Sequence, residues 1–267
     1  MTQDAFTEFK LRQKEMWTSY ERTATFTTVP ASDLVEFSGI KGGDLVLDVG
    51  TGTGVAAITA ARAGAKVTAL DLTPELLELA RKNAIIASTN EITWIEGDAE
   101  HLPFQDSSFD VVISQFGHMF APRPNVVISE MRRVLKPHGR IAFSTWPAEH
   151  FTGQMFNFVG RNSPPAPLGS SPPSEWGTPS VITERLGNKF GQPFFTRKMM
   201  LVPALSLYHF RSYMENAIGP MRKVIESLAD HPDKLKELRK EFDALVEPYY
   251  YGNQVHQEYI LTRATAI

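Results

Sequence analysis

Between residues 40 and 146, short β-branched and aliphatic runs alternate with amphipathic stretches of helical length. That alternation calls for a parallel sheet whose strands are joined by crossover helices. Strands are expected at 45–49, 67–71, 93–96, 111–114 and 140–146, with helices at 55–63, 74–88 and 125–135 between them. In the second helix Leu76, Leu77, Leu79, Ala80 and Ala84 form one apolar stripe, and Glu75, Glu78, Arg81 and Lys82 form a solvated face. Thr73 is expected to cap it, with Pro74 in the first turn. Lys136-Pro137-His138-Gly139 ends the third, since proline cannot continue a helix and the glycine allows the turn into the next strand.

Beyond residue 146 the texture changes. Six of the eighteen prolines fall between Pro164 and Pro179 among several serines, which predicts a long surface loop or lid. A helix at 182–190, a strand at 194–202, helices at 207–217, 221–229 and 233–246, and a last strand at 257–262 follow. The division expected is an N-terminal helical lid at 1–39, a cofactor-binding core at 40–150, and substrate-cap helices with the final strands at 151–267. Twenty-seven Lys and Arg against thirty Asp and Glu, with no basic run longer than a pair, disfavour a nucleic-acid partner. The chain has no cysteine, which removes disulfides, thiolate metal sites and Cys nucleophiles. No apolar run approaches a bilayer span and the N-terminus has no secretory core, so a cytoplasmic protein is expected.

The run Asp48-Val49-Gly50-Thr51-Gly52-Thr53-Gly54 overlaps a strand end and precedes a helix. Glycines there permit a tight turn and let a ligand lie against bare backbone at a helix N-terminus. Asp71 ends the next strand nineteen positions after Gly52, where ribose hydroxyls need an acceptor pair. Gly97-Asp98-Ala99-Glu100 brings another carboxylate to the same sheet edge. The GxGxG spacing, with Asp48 ahead of it, differs from the GxGxxG of pyrophosphate sites and suits an amine-bearing ligand.

Together VLDVGTGTG, ALDLTPELLELARKNA, WIEGDAEHLPFQDSSFDVVIS and EMRRVLKPHGRIAFSTW resemble the class I S-adenosylmethionine-dependent methyltransferases, most closely the branch that includes ubiquinone and menaquinone biosynthesis enzymes. The resemblance implies a doubly wound, Rossmann-like α/β fold with a seven-stranded sheet, its last strand antiparallel between its neighbours. It implies S-adenosylmethionine as cofactor and S-adenosylhomocysteine as product. Gly50, Thr51, Gly52 and Gly54 would line the methionine end, Asp48 would face the cofactor's amino group directly or through water, and Asp71 would bind the ribose. Leu72 and Ala99 would flank the adenine, with Asp98 accepting from its exocyclic amine. Ser114 and Gln115 would border the methionine moiety and the substrate mouth, and Tyr20, in Trp17-Thr18-Ser19-Tyr20, would close over the methionine carboxylate.

Methyl transfer from a sulfonium needs alignment and exclusion of water, with a general base only where the acceptor must lose a proton. His118, four residues past the fourth strand, is the candidate base, the other reading being a pocket wall or a histidine satisfied by backbone. His150 and His209 lie in the cap and stay open. No His pair has ligand spacing, and no metal is expected. The second half is rich in aromatic residues and Met, from Phe151 and Met155 to Tyr249-Tyr250-Tyr251, which fits an apolar or aromatic small-molecule acceptor. The competing readings are an NAD(P)-dependent oxidoreductase and a cofactor-binding homologue without methyl transfer.

Overall fold

The computed structural model describes residues 2–18, 20 and 24–267, with side chains from residue 5 onward. Of the stretch 17–20, Ser19 lies outside the described residues, as do 21–23 of the proposed N-terminal lid. Two helices, α1 (Thr2–Trp17) and α2 (Thr28–Ser38), precede the sheet. Then come β1 (Leu45–Val49), α3 (Val55–Arg62), β2 (Lys66–Asp71), α4 (Pro74–Ile86), β3 (Thr93–Glu96), β4 (Phe109–Gln115), α5 (Pro124–Val134) and β5 (Leu135–Thr145). The second half contains α6 (Phe151–Arg161), α7 (Pro179–Leu186), β6 (Phe194–Pro203), α8 (Leu207–Ala217), α9 (Gly219–Ser227), α10 (Pro232–Val246), β7 (Tyr250–Tyr251) and β8 (Gln254–Thr265).

The sheet order is β3-β2-β1-β4-β5-β8-β6, with the short β7 paired to β8 off that path. The first five are parallel, and β8 runs antiparallel to both β5 and β6. Val46, Leu47 and Val49 of β1 are fully buried because helices cover both faces of a parallel sheet. On α5 the buried residues Val127, Ile128, Met131 and Val134 recur at helical spacing and dock it on the sheet. Among the described residues, no helix is long and apolar enough to cross a membrane.

Several local expectations are corrected. Thr73 sits at the N-cap of α4, but its side chain makes no capping bond. After α5 the left-handed residue is His138 (φ 60°), and Gly139 serves instead for close packing, since a Cβ there would stand 3.0 Å from the Lys136 carbonyl. The helix expected at 182–190 ends at Leu186, because Gly187 (φ 55°) breaks it into a short 3-10 turn. The proline-rich stretch folds a 3-10 turn, Pro173–Gly177, that fully buries Trp176. It does not line the main cavity, so the lid expected at 164–179 is withdrawn.

Candidate active site

A doubly wound sheet leaves a crevice where its strand order reverses, here between the carboxyl ends of β1 and β4. The loops leaving those two strands touch. A Cβ on Gly117 would stand 2.4 Å from the Gly50 carbonyl oxygen, and one on Gly50 would stand 2.9 Å from Gly117 Cα. Only glycine fits at either place, and Gly50 also holds φ 68°. Gly50 N and Thr51 N both donate to the Leu70 carbonyl, at 2.8 and 3.0 Å, which pins the glycine turn to β2. Asp71 completes the clamp: Oδ2 accepts from Gly52 N at 2.7 Å and Oδ1 from Thr73 N at 2.9 Å.

These loops floor a cavity of about 1480 Å³, open mouth included, that runs from β3 across the sheet edge to β6. Of the residues expected at the cofactor, Tyr20, Gly50, Thr51, Gly52, Asp71, Leu72, Asp98, Ala99 and Gln115 line it. Gln115 is held in place by donating to the Thr27 carbonyl at 2.7 Å.

Four expected residues do not line the cavity. Gly54 caps α3 at φ 83°, and a Cβ there would meet the Trp94 ring at 2.7 Å, so its role is packing. Ser114 is fully buried, donating to the Val49 carbonyl at 2.6 Å and accepting from His118 N at 3.0 Å. Asp48 is likewise fully buried behind the glycine turn, with Oδ2 accepting from Thr51 Oγ1 at 2.6 Å and Oδ1 without a partner. Burial, with the Asp71 charge nearby, pushes its carboxyl up to about 7.

His118 requires the largest correction. It is 1% exposed, its ring packs 4.5 Å from Phe143 and 4.6 Å from Trp176, and neither ring nitrogen has a partner. Burial pushes its pKa down to about 3. The ring lies behind the wall among aromatics, out of reach of a bound acceptor, so it is not placed to act as a base. His150 and His209 are also occupied. Their Nδ1 atoms accept from Glu258 N and Leu205 N, each at 3.2 Å, and neither lines the cavity.

The sequence reading missed how the N-terminal helix is fastened. Lys10 Nζ donates to Asp98 Oδ2 at 2.6 Å and to buried Glu100, while Lys14 pairs with Glu96 at 2.6 Å. Glu100 also accepts from Arg123 Nε and Nη2 at 2.9 and 2.7 Å. Gln13 donates to the Phe120 carbonyl at 3.0 Å, and the Trp17 ring lies 4.5 Å from that of Phe120. Lys10 and Lys14 are one helical turn apart, which in hindsight marks a face that meets acidic partners.

Away from these charges the cavity wall is apolar. Phe116 holds φ 58°, strained for a non-glycine residue, and its ring stacks on Trp146 with centroids 4.0 Å apart. Met155, Phe156, Met200, Phe210 and Met214 continue the wall. Thr27, Tyr213 and a buried pair interrupt it; in the pair, Thr152 Oγ1 donates to Gln257 Oε1 at 3.1 Å.

The cofactor fits what the residues offer. Two left-handed glycines bare the backbone at the switch point, Asp71 brings a carboxylate to the cavity, and Asp48 holds an unmatched buried oxygen behind the turn. A family model described as a methyltransferase domain matches residues 47–143. An uncharacterized protein of Mycobacterium tuberculosis is 34% identical over 94% of this chain and 93% of its own length. A demethylmenaquinone methyltransferase from Clavibacter sepedonicus is 35% identical over 50% of this chain and 57% of its own. A Haemonchus contortus phosphoethanolamine N-methyltransferase, solved with S-adenosylhomocysteine, shares the fold at TM-score 0.55 and 17% identity, covering 89% of this chain and 52% of that one. With its strand order, its glycine turn and these relatives together, the chain belongs to the class I S-adenosylmethionine-dependent methyltransferases.

Proposed function

We propose that the protein transfers a methyl group to a small, uncharged, apolar or aromatic molecule. The observation that carries this reading is the composition of the wall opposite the glycine turn. Every Lys and Asp on the cavity wall, namely Lys10, Asp71 and Asp98, sits at the β2–β3 end or on α1, and the far end is built from Phe, Met, Trp and aliphatic side chains with the uncharged polar residues Thr27, Thr152, Tyr213 and Gln257 among them. An ionised acceptor would lose its hydration there without a counter-charge.

S-adenosylmethionine, when bound, supplies the electrophilic methyl. The chain's own part is to hold, orient and exclude water. Backbone at Gly50, Thr51 and Gly52 with Tyr20 and Gln115 serves the methionine end, Asp71 the ribose, and Leu72, Asp98 and Ala99 the adenine. Asp48 acts from behind the turn as a buried charge, while Gly54 and Ser114 hold the loops. Residues 1–39 serve as the lid, 40–150 as the cofactor half and 151–267 as the acceptor half. Among the described residues no imidazole lines the cavity, and its two carboxylates, Asp71 and Asp98, lie at the cofactor end.

The test is incubation of the protein and methyl-labelled S-adenosylmethionine with a metabolite extract, followed by partition between water and an organic solvent. Label in small molecules of the organic phase is the expected result. Label confined to charged water-soluble molecules or to macromolecules would overturn the proposal.

A further inference from the structure

The acceptor end carries a buried polar pair whose hydrogen-bond polarity can be read. Gln257 lies on β8 opposite Met200 of β6, and it shares the buried face of its strand with Val255 and Tyr259. It is 6% exposed, and Thr152, in the first turn of α6, is 4% exposed. Both line the cavity, with Met155 one helical turn from Thr152 and Met200 paired to Gln257 across the strands. A buried amide in such a wall must find partners for its oxygen and for its two N–H groups. The oxygen is taken: Thr152 Oγ1 donates to it at 3.1 Å. Among the described residues the Nε2 group has no hydrogen-bond partner, and the side chain lines the cavity.

The geometry points to Gln257, oriented by Thr152, as the acceptor-recognition contact, its amide donating to a carbonyl or hydroxyl oxygen of an uncharged aromatic molecule. This rests on the methyltransferase reading of the same cavity and narrows its acceptor class. A donor-only contact in an apolar wall favours an oxygen that accepts. It disfavours an ammonium, whose N–H groups would face the donors of Gln257 with no carboxylate near.

The probes are tetralin, 1-tetralone and 1-aminotetralin, which share one carbon frame and differ in the polar group. Each is titrated into the protein with S-adenosylhomocysteine present, following quenching of tryptophan fluorescence, to which Trp146 on the wall contributes. Wild type is expected to bind tetralone about tenfold tighter than tetralin, as one net hydrogen bond provides, and aminotetralin no better than tetralin. Gln257→Leu should erase the preference for tetralone, and Gln257→Glu, which offers acceptors only, should reverse it towards aminotetralin. Thr152→Val, which frees the amide to turn, should reduce the preference without abolishing it. A tetralone preference that survives in Gln257→Leu, or a wild type that prefers aminotetralin, overturns the inference. Titration of S-adenosylhomocysteine alone keeps the two readings apart. If wild type fails to bind it, the methyltransferase reading fails, whereas normal cofactor binding without any tetralone preference sinks only the role of Gln257.

Discussion

Asp71 is asked to do two things, and replacing it tests both. Each carboxylate oxygen accepts one backbone N–H, from Gly52 and from Thr73, and so ties the glycine turn to the start of α4. Asp71 also lines the cavity, where ribose hydroxyls would lie. Asp71→Ala orphans two buried donors at about 1–3 kcal/mol each. Burial raises the Asp71 pKa despite those bonds, so removing the carboxylate also relieves a desolvation penalty, leaving a net loss of about 2–4 kcal/mol. For a chain of this size that lowers Tm by roughly 5–15 °C. Asp71→Asn keeps one acceptor, so it should lose about half as much stability, while cofactor affinity falls about tenfold or more through the weakened ribose contact. Scanning calorimetry of the ligand-free variants, with calorimetric titration of S-adenosylhomocysteine, separates the effects. A ligand-free Asp71→Ala protein that melts with wild type would refute the clamp, and wild-type affinity in Asp71→Asn would refute the ribose contact.

Three further outcomes are expected. Asp48 has a carboxyl raised to about 7, so if its ionised form faces the cofactor's ammonium, affinity should climb by up to tenfold per unit between pH 5 and 7 and level off above. Asp48→Asn should be flat, and a flat wild-type profile would remove the charge pairing. His118 titrates near 3 in the fold against 6.5 in the unfolded chain, so its contribution to stability is full above pH 6.5 and is lost as pH falls towards 3, about 2 kcal/mol of it by pH 5. His118→Leu should melt less steeply with acid and retain turnover to within about tenfold of wild type, since loss of a general base typically costs 10²–10⁴; a larger fall would restore the base. Gly117→Ala, forced against the Gly50 backbone, should lose about 1–3 kcal/mol and weaken cofactor binding. Gly160→Ala, in an open position on α6, should instead gain about 0.5–1 kcal/mol, as followed by denaturant unfolding.

What the sequence made legible was the half of the fold whose information is local. A strand, a glycine turn, a helix and an acidic strand end follow one another within thirty residues, and the turn needs particular residue types wherever it occurs. Asp71 and Gly52 were therefore found from spacing, and they do meet. Asp48, Gly54, Ser114 and His118 were expected at the cavity because they neighbour those signals, and sequence adjacency does not reveal on which side of a wall a side chain ends. In His118 the decisive fact is long-range: Trp176, from the proline-rich loop, closes over the ring. The aromatic-rich second half was similarly mixed. Phe151 and Phe158 are core, Phe210 and Met214 face the cavity, and Phe194, Met199, Tyr208 and Tyr251 are exposed. Composition supplied their number, and only packing assigns their directions.

The acceptor contact was hidden for a related reason. Thr152 and Gln257 are 105 residues apart, on a helix and on an antiparallel strand that enters the sheet last. Their one local sign is a polar residue on the inward register of β8, between Val255 and Tyr259, where a buried strand face ordinarily carries apolar residues. Around them the wall uses Met155, Met200 and Met214, flexible side chains that fit differently shaped apolar bodies. Shape selection is therefore soft and polar selection is sharp, so exchange of the residue at 257 should redirect the acceptor more than exchange of any one wall methionine. The cofactor half would be spared such a change, because its loops are fixed by backbone bonds to Leu70 and by the Gly50–Gly117 contact. None of those fixtures involves β8.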